Sequence, residues 1–274
     1  MRYRVLPCLL LLAVLVGAAA AAPRSLTLAT TTSVNDTGLL EFILPEFERR
    51  SGIDVKVVAV GTGQALELAR RGDADAVLVH APDLERQFVR EGHAAGHWRL
   101  MYNHFIIVGP AADPAGVRSA SSAAQAFSRI AESKAAFASR GDNSGTHQRE
   151  LSLWKAAKIE PKGDWYLESG SGMAATLRLA DEKNAYTLSD IGTYLSQKRN
   201  LRLALLYDKG NELLNVYSVM AVSPKKHPST NYSGAMQFVR YLLAAETLKR
   251  IGSFGADRFG APLFHVYERP RPPR

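Results

Sequence analysis

Short strand patterns alternate with amphipathic helix patterns along most of the chain, and this alternation constrains the fold more than any other feature. Residues 25–31 (SLTLATT), 54–60 (DVKVVAV), 76–79 (AVLV) and 105–108 (FIIV) have the apolar, β-branched character of strands. Helix patterns follow at about 40–47 and 65–71, with apolar residues three or four positions apart. Alternation on so short a repeat predicts an α/β fold, with mainly parallel strands covered by helices on both faces.

The second half of the chain repeats this alternation. Strand patterns recur at 135–139, 185–188 and 216–222, and the periodicity predicts a long helix from about 232 to 251. In such sheets, ligands bind beyond the carboxyl ends of the strands, where the following helices begin. The strand-to-helix loops are therefore the places to look for a site.

Two lobes, not two sequential domains, are the expected organisation. No stretch rich in Pro, Gly or Ser separates the halves as a linker would. We therefore expect the chain to cross between two α/β lobes more than once. Lobe 1 is predicted to comprise residues 23–109 plus 219–274, and lobe 2 residues 110–218.

The N-terminus has the three-part layout of a secretory signal peptide. Arg2 and Arg4 form a positive head, residues 9–16 are continuously apolar, and residues 17–22 are small. The apolar core is short for a membrane-spanning helix, although a retained anchor is the alternative. With residues 1–22 removed, the only cysteine, Cys8, is lost, which excludes disulfides and cysteine–metal sites from the mature protein.

The charge balance is mildly basic. The chain has 34 Lys and Arg against 26 Asp and Glu, and loss of the signal peptide lowers its net charge from +8 to +6. The basic residues are dispersed and form no stripe interleaved with aromatic side chains, so we do not expect nucleic-acid binding.

Three loops rich in Gly, Ser and Thr share one position, because each follows a predicted strand and opens a predicted helix. They are residues 30–35 (TTTSVN), 61–64 (GTGQ) and 140–147 (RGDNSGTH). Helix starts present free N–H groups that can hold an anion, and Arg140 adds one planar cationic fork. The hydroxyl donors in these loops are Thr31, Thr32, Ser33, Thr62, Ser144 and Thr146. Each loop alone is typical of an ordinary helix cap, but the three together predict an oxyanion site.

Other interpretations have weaker support. Ser144 lies outside any G-x-S-x-G elbow, although a secreted serine hydrolase that uses Ser144 with His147 stays open as the alternative from another class. A sensor domain that docks on a receptor is a third hypothesis. The histidines show no metal-ligand spacing, so no metal is expected, and the pair His93 and His97 falls in a Gly/Ala-rich segment predicted to be a solvated loop. Asp142 either orients the Arg140 guanidinium or accepts a proton from a protonated anion.

Motifs spread over residues 26–264 resemble the periplasmic tungstate-binding proteins of ABC importers. They are LATTTSVNDTGLL, AVGTGQALELARRGDADAVLVHAP, YNHFIIVGP, SRGDNSGTHQRE, YTLSDIGTYL, VSPKKHP and FGAPLF. The resemblance implies a two-lobed type II periplasmic binding fold that closes on one oxyanion, needs no cofactor and delivers its ligand to a membrane permease. We expect a periplasmic monomer.

The resemblance also implies the ligand-binding residues. By motif matching they are Thr31, Thr32 and Ser33 from the first loop, Thr62 from the second, and Arg140, Ser144, Gly145 and Thr146 from the third. One position departs from the family pattern. Ile191 in TLSDIGTY stands where the family usually has an arginine, which puts a direct role of that loop in doubt.

The chemistry of the donors bears on which anion binds. Tungstate and molybdate are fully deprotonated at neutral pH and only accept hydrogen bonds, whereas hydrogen phosphate would face a donor with its own proton, at a cost of about 1–3 kcal/mol. Sulfate is also an acceptor only and must be rejected by size. The sequence does not separate tungstate from molybdate, and a phosphate- or sulfate-binding protein of the same fold is the alternative.

Overall fold

The computed structural model describes residues 24–267. The predicted signal peptide with Cys8 and the C-terminal residues 268–274 lie outside the described residues. The strands are β1 (Arg24–Thr31), β2 (Ile53–Val60), β3 (Ala76–Val79), β4 (Ala94–Gly109), β5 (Phe137–Ser139), β6 (Tyr166–Glu168), β7 (Thr187–Asp190), β8 (Ala204–Tyr207), β9 (Leu214–Val222) and β10 (His265–Val266). The helices are α1 (Thr32–Asp36), α2 (Leu39–Ser51), α3 (Thr62–Arg71), α4 (Pro82–Arg90), α5 (Ala123–Glu132), α6 (Gly145–Ala156), α7 (Met173–Lys183), α8 (Ile191–Gln197), α9 (Tyr232–Leu242), α10 (Ala245–Ser253) and α11 (Ala256–Phe259).

The main sheet is mixed, with the strand order β10–β4–β9–β3–β1–β2. β1 pairs in parallel with both β2 and β3, as the alternation predicts. β9 instead pairs antiparallel with β3 and β4, because this late strand runs back between them after the chain has built the second half of the molecule. The α/β fold is confirmed, but among the described strands parallel pairing joins only β1 to β2 and β3, and β5 to β6, with one isolated parallel bridge between Phe137 and Tyr186.

Strand β4 connects the two halves of the structure. Residues 94–104 of β4 pair with β9, whereas 105–109 pair with β7 and β8. The sequence pattern predicts a strand only at 105–108, so the prediction of a loop before it is wrong. Gly96 fits this strand because the Trp98 ring covers it, and a Cβ there would lie 2.0 Å from Trp98 Cη2.

The two histidines of the mispredicted segment are engaged by protein groups. His97 Nε2 lies 2.9 Å from Oε2 of Glu85, a carboxylate that is buried on α4. The His93 ring stacks on the rings of Phe88 and His227. His97 lies on β4 but is exposed, as expected, whereas His93 is partly buried by these rings, so the expectation of solvated histidines holds for His97 only.

Both faces of each half of the sheet are covered. Along β1, Leu26 and Leu28 face the core built with α2 and α9, while Ala29 faces the core built with α3 and Phe88. Along the second half of β4, Phe105 and Ile107 face α5 and α6, while Ile106 and Val108 face α7 and α8. The alternation of side chains along the strands thus divides the apolar residues into cores on opposite faces, as expected for helices on both faces.

The boundaries of the two predicted lobes stay a prediction. In the described structure the chain passes from one half to the other within β4, and it returns where Leu214 of β9 pairs with His104. The helix predicted over 232–251 is broken, because Ala244 adopts an extended backbone between α9 and α10. None of the described helices has the length and apolar character needed to cross a membrane.

Candidate functional site

The structure brings the three Gly/Ser/Thr-rich loops together at the carboxyl ends of β1, β2 and β5. Each loop leads directly into a helix, α1, α3 or α6. A Cβ at Gly63 would lie 2.9 Å from Nδ2 of Asn143, so the second and third loops are in direct contact. A Cβ at Gly172 would lie 3.5 Å from Oγ1 of Thr32, which places the start of α7 against the first loop. Residues 30–35, 61–64 and 140–147 and the start of α7 therefore come together, and we call this place the meeting point.

The close approach at Gly145 explains why a glycine opens α6. A Cβ at this position would lie 2.8 Å from Cε1 of His80 and 2.9 Å from the His80 carbonyl oxygen. Such contacts are shorter than packed side chains tolerate, so a larger residue would force the two loops apart. Gly145 thus lets the start of α6 approach the turn that follows β3.

Three threonine hydroxyls at the meeting point have no protein partner. The Oγ1 atoms of Thr32, Thr62 and Thr146 are buried, and none has a hydrogen-bond partner within residues 24–267. Each comes from a different loop. Leaving a buried hydroxyl unpaired costs about 1–3 kcal/mol, and three in one place suit a ligand that accepts hydrogen bonds.

Arg140 supplies the fixed positive charge, and Asp142 orients it. Arg140 is 2% exposed at the end of β5, and its Nε donates to the Ser171 carbonyl oxygen at 3.1 Å. Its Nη2 donates to Oδ2 of Asp142, whose other oxygen accepts the Ser144 backbone N–H at 3.1 Å. Both carboxylate oxygens of Asp142 therefore accept hydrogen bonds from protein donors, which supports the orienting role.

A buried carboxylate, Glu150, lies behind Arg140. Its Oε2 accepts from Ser139 Oγ at 2.9 Å, its Oε1 accepts from the Tyr166 hydroxyl at 2.7 Å, and the backbone N–H of Arg140 also bonds to it. Burial raises the pKa of Glu150 to about 7. Glu150 is not among the residues predicted for the site. The signal that could have found it is its place four positions after Thr146, one helical turn further along α6.

The pH dependence of stability tests the state of Glu150. Because its pKa rises from 4.5 to about 7 on folding, the folded protein holds a proton there that the unfolded chain has released. The stability of the wild type should therefore fall, relative to Glu150→Gln, as the pH rises from about 4.5 to about 7, and then level off. Urea unfolding across that range measures the difference. The exposed Glu160→Gln is the matched control, and parallel curves for the wild type and Glu150→Gln would contradict the expectation.

The remaining hydroxyls of the predicted set are held by protein groups. Thr31 Oγ1 lies 3.1 Å from Ser33 Oγ, which in turn lies 3.2 Å from Nε2 of His80. Ser144 Oγ accepts the His147 backbone N–H at 3.2 Å and so caps α6. His80 is a further residue that the sequence analysis did not include in the site, and its position directly after β3 is the signal that could have found it.

The geometry does not support the serine hydrolase alternative. His147 Nδ1 accepts the backbone N–H of Asn143 at 3.0 Å, and Ser144 Oγ is used as a helix cap. Nucleophilic catalysis would need a hydrogen bond between the serine hydroxyl and the ring of its histidine base. Ser144 and His147 thus belong to the architecture of the loop.

The TLSDIGTY segment lies next to the first loop, where α8 contacts α1, and its Asp190 and Ile191 are engaged by protein groups. Asp190 is buried and caps α8 through two hydrogen bonds to Thr193, at 2.8 and 2.7 Å. Ile191 packs against the apolar core that contains Met173 and Leu177. An apolar side chain in place of the usual arginine is therefore accommodated by packing.

No metal centre is built from the described residues. Between Arg24 and Tyr267, no group of three or more His, Cys, Asp or Glu side chains is close enough to hold an ion. The donor set at the loops consists of hydroxyls, N–H groups and a guanidinium, which suits an anion and not a metal ion.

An α/β fold with donor loops at the strand ends defines the class as a ligand-binding protein. Residues 17–246 match the family model of the PBP superfamily domain. The chain is 46% identical over 242 residues to the tungstate-binding protein TupA of Peptoclostridium acidaminophilum, a match that covers 88% of this chain and 85% of that protein. It therefore belongs to the TupA family of tungstate-binding proteins within the PBP superfamily, and the resemblance of its motifs to that family is confirmed.

Two solved structures support the same assignment. The tungstate ABC transporter structure from Geobacter sulfurreducens has a TM-score of 0.77 and 48% identity, covering 84% of this chain and 98% of that one. The tungstate-binding protein TupA from Desulfovibrio alaskensis G20 has a TM-score of 0.75 and 41% identity, covering 90% of this chain and 100% of that one.

Proposed function

We propose that this protein captures tungstate at the meeting point of the three loops and delivers it to the membrane permease of an ABC importer. The observation that carries the proposal is the set of three buried threonine hydroxyls, one from each loop, that have no hydrogen-bond partner among residues 24–267, together with the buried Arg140 at the start of the third loop. Relatives from the same family are named for tungstate binding and tungstate transport, which supports the choice of ligand.

The donors fit an anion that carries no proton. Thr32, Thr62 and Thr146 each offer a hydroxyl, α3 and α6 offer the N–H groups of their first turns, and Arg140 offers its charge. Asp142 already accepts hydrogen bonds from Arg140 and Ser144, one on each carboxylate oxygen, which supports an orienting role over acceptance of a ligand proton. The site therefore favours tungstate, molybdate or sulfate over hydrogen phosphate.

The proposal extends to the route of the ligand. The predicted signal peptide and the family support a periplasmic location, where a binding protein meets its permease. Two lobes that close over the anion would remove it from water and strengthen every hydrogen bond to it. No step of this function needs a catalytic residue or a cofactor, and tungsten enters only as the oxyanion.

Competitive calorimetric titration tests the ligand. We expect tungstate to bind one site per chain and to displace molybdate, while sulfate binds at least about 100-fold more weakly and hydrogen phosphate more weakly still, because one misplaced hydrogen bond costs about 1–3 kcal/mol. Binding of phosphate alone would overturn the ligand assignment and leave the fold assignment standing.

A further inference from the structure

His80 is a buried neutral histidine with a polar neighbour at each ring nitrogen. It is 3% exposed, and its ring packs against the Tyr217 ring, with 4.7 Å between the ring centroids. Burial lowers the pKa of His80 to about 4, so the ring is neutral at physiological pH. A neutral imidazole carries one proton on one of its two nitrogens, and the other nitrogen accepts a hydrogen bond. The position of this proton therefore decides the direction of every hydrogen bond connected to the ring.

The neighbours of His80 place the proton on Nδ1 in the described arrangement. Asn215 Nδ2 donates to Asn103 Oδ1 and to the Tyr217 hydroxyl, both at 2.8 Å, and so uses both of its hydrogens. Asn215 Oδ1 lies 2.9 Å from His80 Nδ1 and can only accept a hydrogen bond, so His80 Nδ1–H must donate to it. Nε2 is then the accepting nitrogen, and the Ser33 hydroxyl, 3.2 Å away, donates to it.

This arrangement has two unfavourable features, one toward an acceptor-only ligand and one inside the protein. The proton of Ser33 points to His80, so Ser33 would present only lone pairs to an anion that has only lone pairs itself. At the other end of the chain of bonds, Nδ2 of Asn103 is buried and has no partner among the described residues. A buried unpaired donor is costly, so reversal of the whole chain of bonds would remove both unfavourable features at once.

We propose that His80 sets the donor direction of Ser33 and that binding of tungstate reverses the relay Ser33–His80–Asn215–Asn103. In the reversed relay, Asn103 Nδ2 and the Tyr217 hydroxyl donate to Asn215 Oδ1, so the bond from Asn215 Nδ2 to Tyr217 is replaced by one in the opposite direction. Asn215 Nδ2 donates to His80 Nδ1, and His80 Nε2–H donates to Ser33. The Ser33 hydroxyl then donates to the ligand. The imidazole proton moves from Nδ1 to Nε2 and two amides turn over, with no proton gained or lost. This inference rests on the proposed function, and it makes His80 a positioning residue for the choice of a deprotonated anion.

Nitrogen-15 NMR of the histidine rings tests the relay in the intact protein. The two neutral tautomers give different long-range proton–nitrogen patterns, and His80 is identified by its failure to titrate near neutral pH and by comparison with His80→Gln. We expect the Nδ1–H pattern without tungstate and the Nε2–H pattern with saturating sodium tungstate. The same tautomer in both samples, or an imidazolium in the complex, would overturn the relay.

The titration separates failure of the relay from failure of the proposed function. If tungstate binds in calorimetry and the tautomer does not change, only the relay is wrong. If tungstate does not bind, the proposed function is wrong and the relay is wrong with it.

The tungstate affinities of variants give a second test. Their pattern would differ if His80 served only the stability of the fold. His80→Leu and Ser33→Ala should each weaken tungstate binding by about tenfold, and the double variant should lose little more, because both remove the same donor. His80→Gln, whose amide can still donate to Ser33, should keep affinity within about threefold of the wild type. The exposed His265→Leu is the control. Full additivity of the two single losses, or equal losses in His80→Leu and His80→Gln, would contradict the relay.

Discussion

Replacement of Arg140 by alanine is expected to weaken tungstate binding by about 10- to 100-fold, because hydrogen bonds to a charged donor contribute about 1.5–3 kcal/mol. The expected loss is large because the guanidinium is already oriented before the ligand arrives. Its Nε is bonded to Ser171 and its Nη2 to Asp142, so little side-chain freedom is lost on binding. The variant also leaves the Asp142 carboxylate without its cationic partner, so its negative charge is no longer compensated near the anion.

A matched control separates the role of Arg140 from the net charge of the protein. Arg71→Ala removes the same charge from the far end of α3, where the side chain is exposed and pairs with Asp73. Ions screen exposed charges beyond about 8 Å at physiological salt, so this variant should keep the affinity of the wild type. Isothermal titration calorimetry measures the tungstate affinity of both variants. An Arg140→Ala protein that binds as tightly as the wild type would exclude Arg140 from the set of residues that bind the anion.

Replacement of Thr62 and Thr146 by valine is expected to separate binding from stability. The double variant should bind tungstate about 100-fold more weakly, since each lost hydroxyl removes a hydrogen bond of about 1–1.5 kcal/mol. The protein without ligand should unfold at the same or slightly higher denaturant concentration, because neither hydroxyl has a partner within the described residues. Valine has nearly the shape of threonine, so the packing around both positions is retained.

Thr187→Val is the control, and we expect it to lower stability and to leave tungstate binding unchanged. The Thr187 hydroxyl is buried and donates to the Ala138 carbonyl oxygen at 2.7 Å. Its loss should lower the free energy of unfolding by about 1 kcal/mol and leave tungstate affinity unchanged. Denaturant unfolding and calorimetry on the same preparations test both statements. A double variant at 62 and 146 that loses stability and keeps its affinity would show that these hydroxyls serve the fold.

The local architecture of the site was predictable because it depends on short stretches of chain. A β-branched strand, a Gly/Ser/Thr-rich turn and an amphipathic helix each have sequence signals with a range of a few residues, and β1, β2 and β5 with their following helices lie close to where these signals place them. Periodicity failed where tertiary contacts override it. The strand at 94–104 contains glycine and polar residues, and it is stabilised by pairing with β9, which lies more than 100 residues later.

The support of the site could not be predicted from local patterns. His80, Asn215 and Asn103 come from three separate elements, and only the pairing of β4, β9 and β3 brings them together behind Ser33. Glu150 reads in sequence as an ordinary charged residue on a helix. It is buried because Trp154 and Tyr166 from the same half of the molecule close over it.

The sequence by itself determined the chemistry of the donors, since hydroxyls, glycines and one arginine at helix starts are local features that specify an oxyanion site. The tertiary structure decided which donors are available. Thr31, Ser33 and Ser144 are engaged by neighbours, while the hydroxyls of Thr32, Thr62 and Thr146 have no partner in the part of the chain that the structure describes. The physical reason is that a hydroxyl can satisfy itself within the protein only where folding brings a partner within about 3 Å, and that proximity is set by contacts between distant parts of the chain.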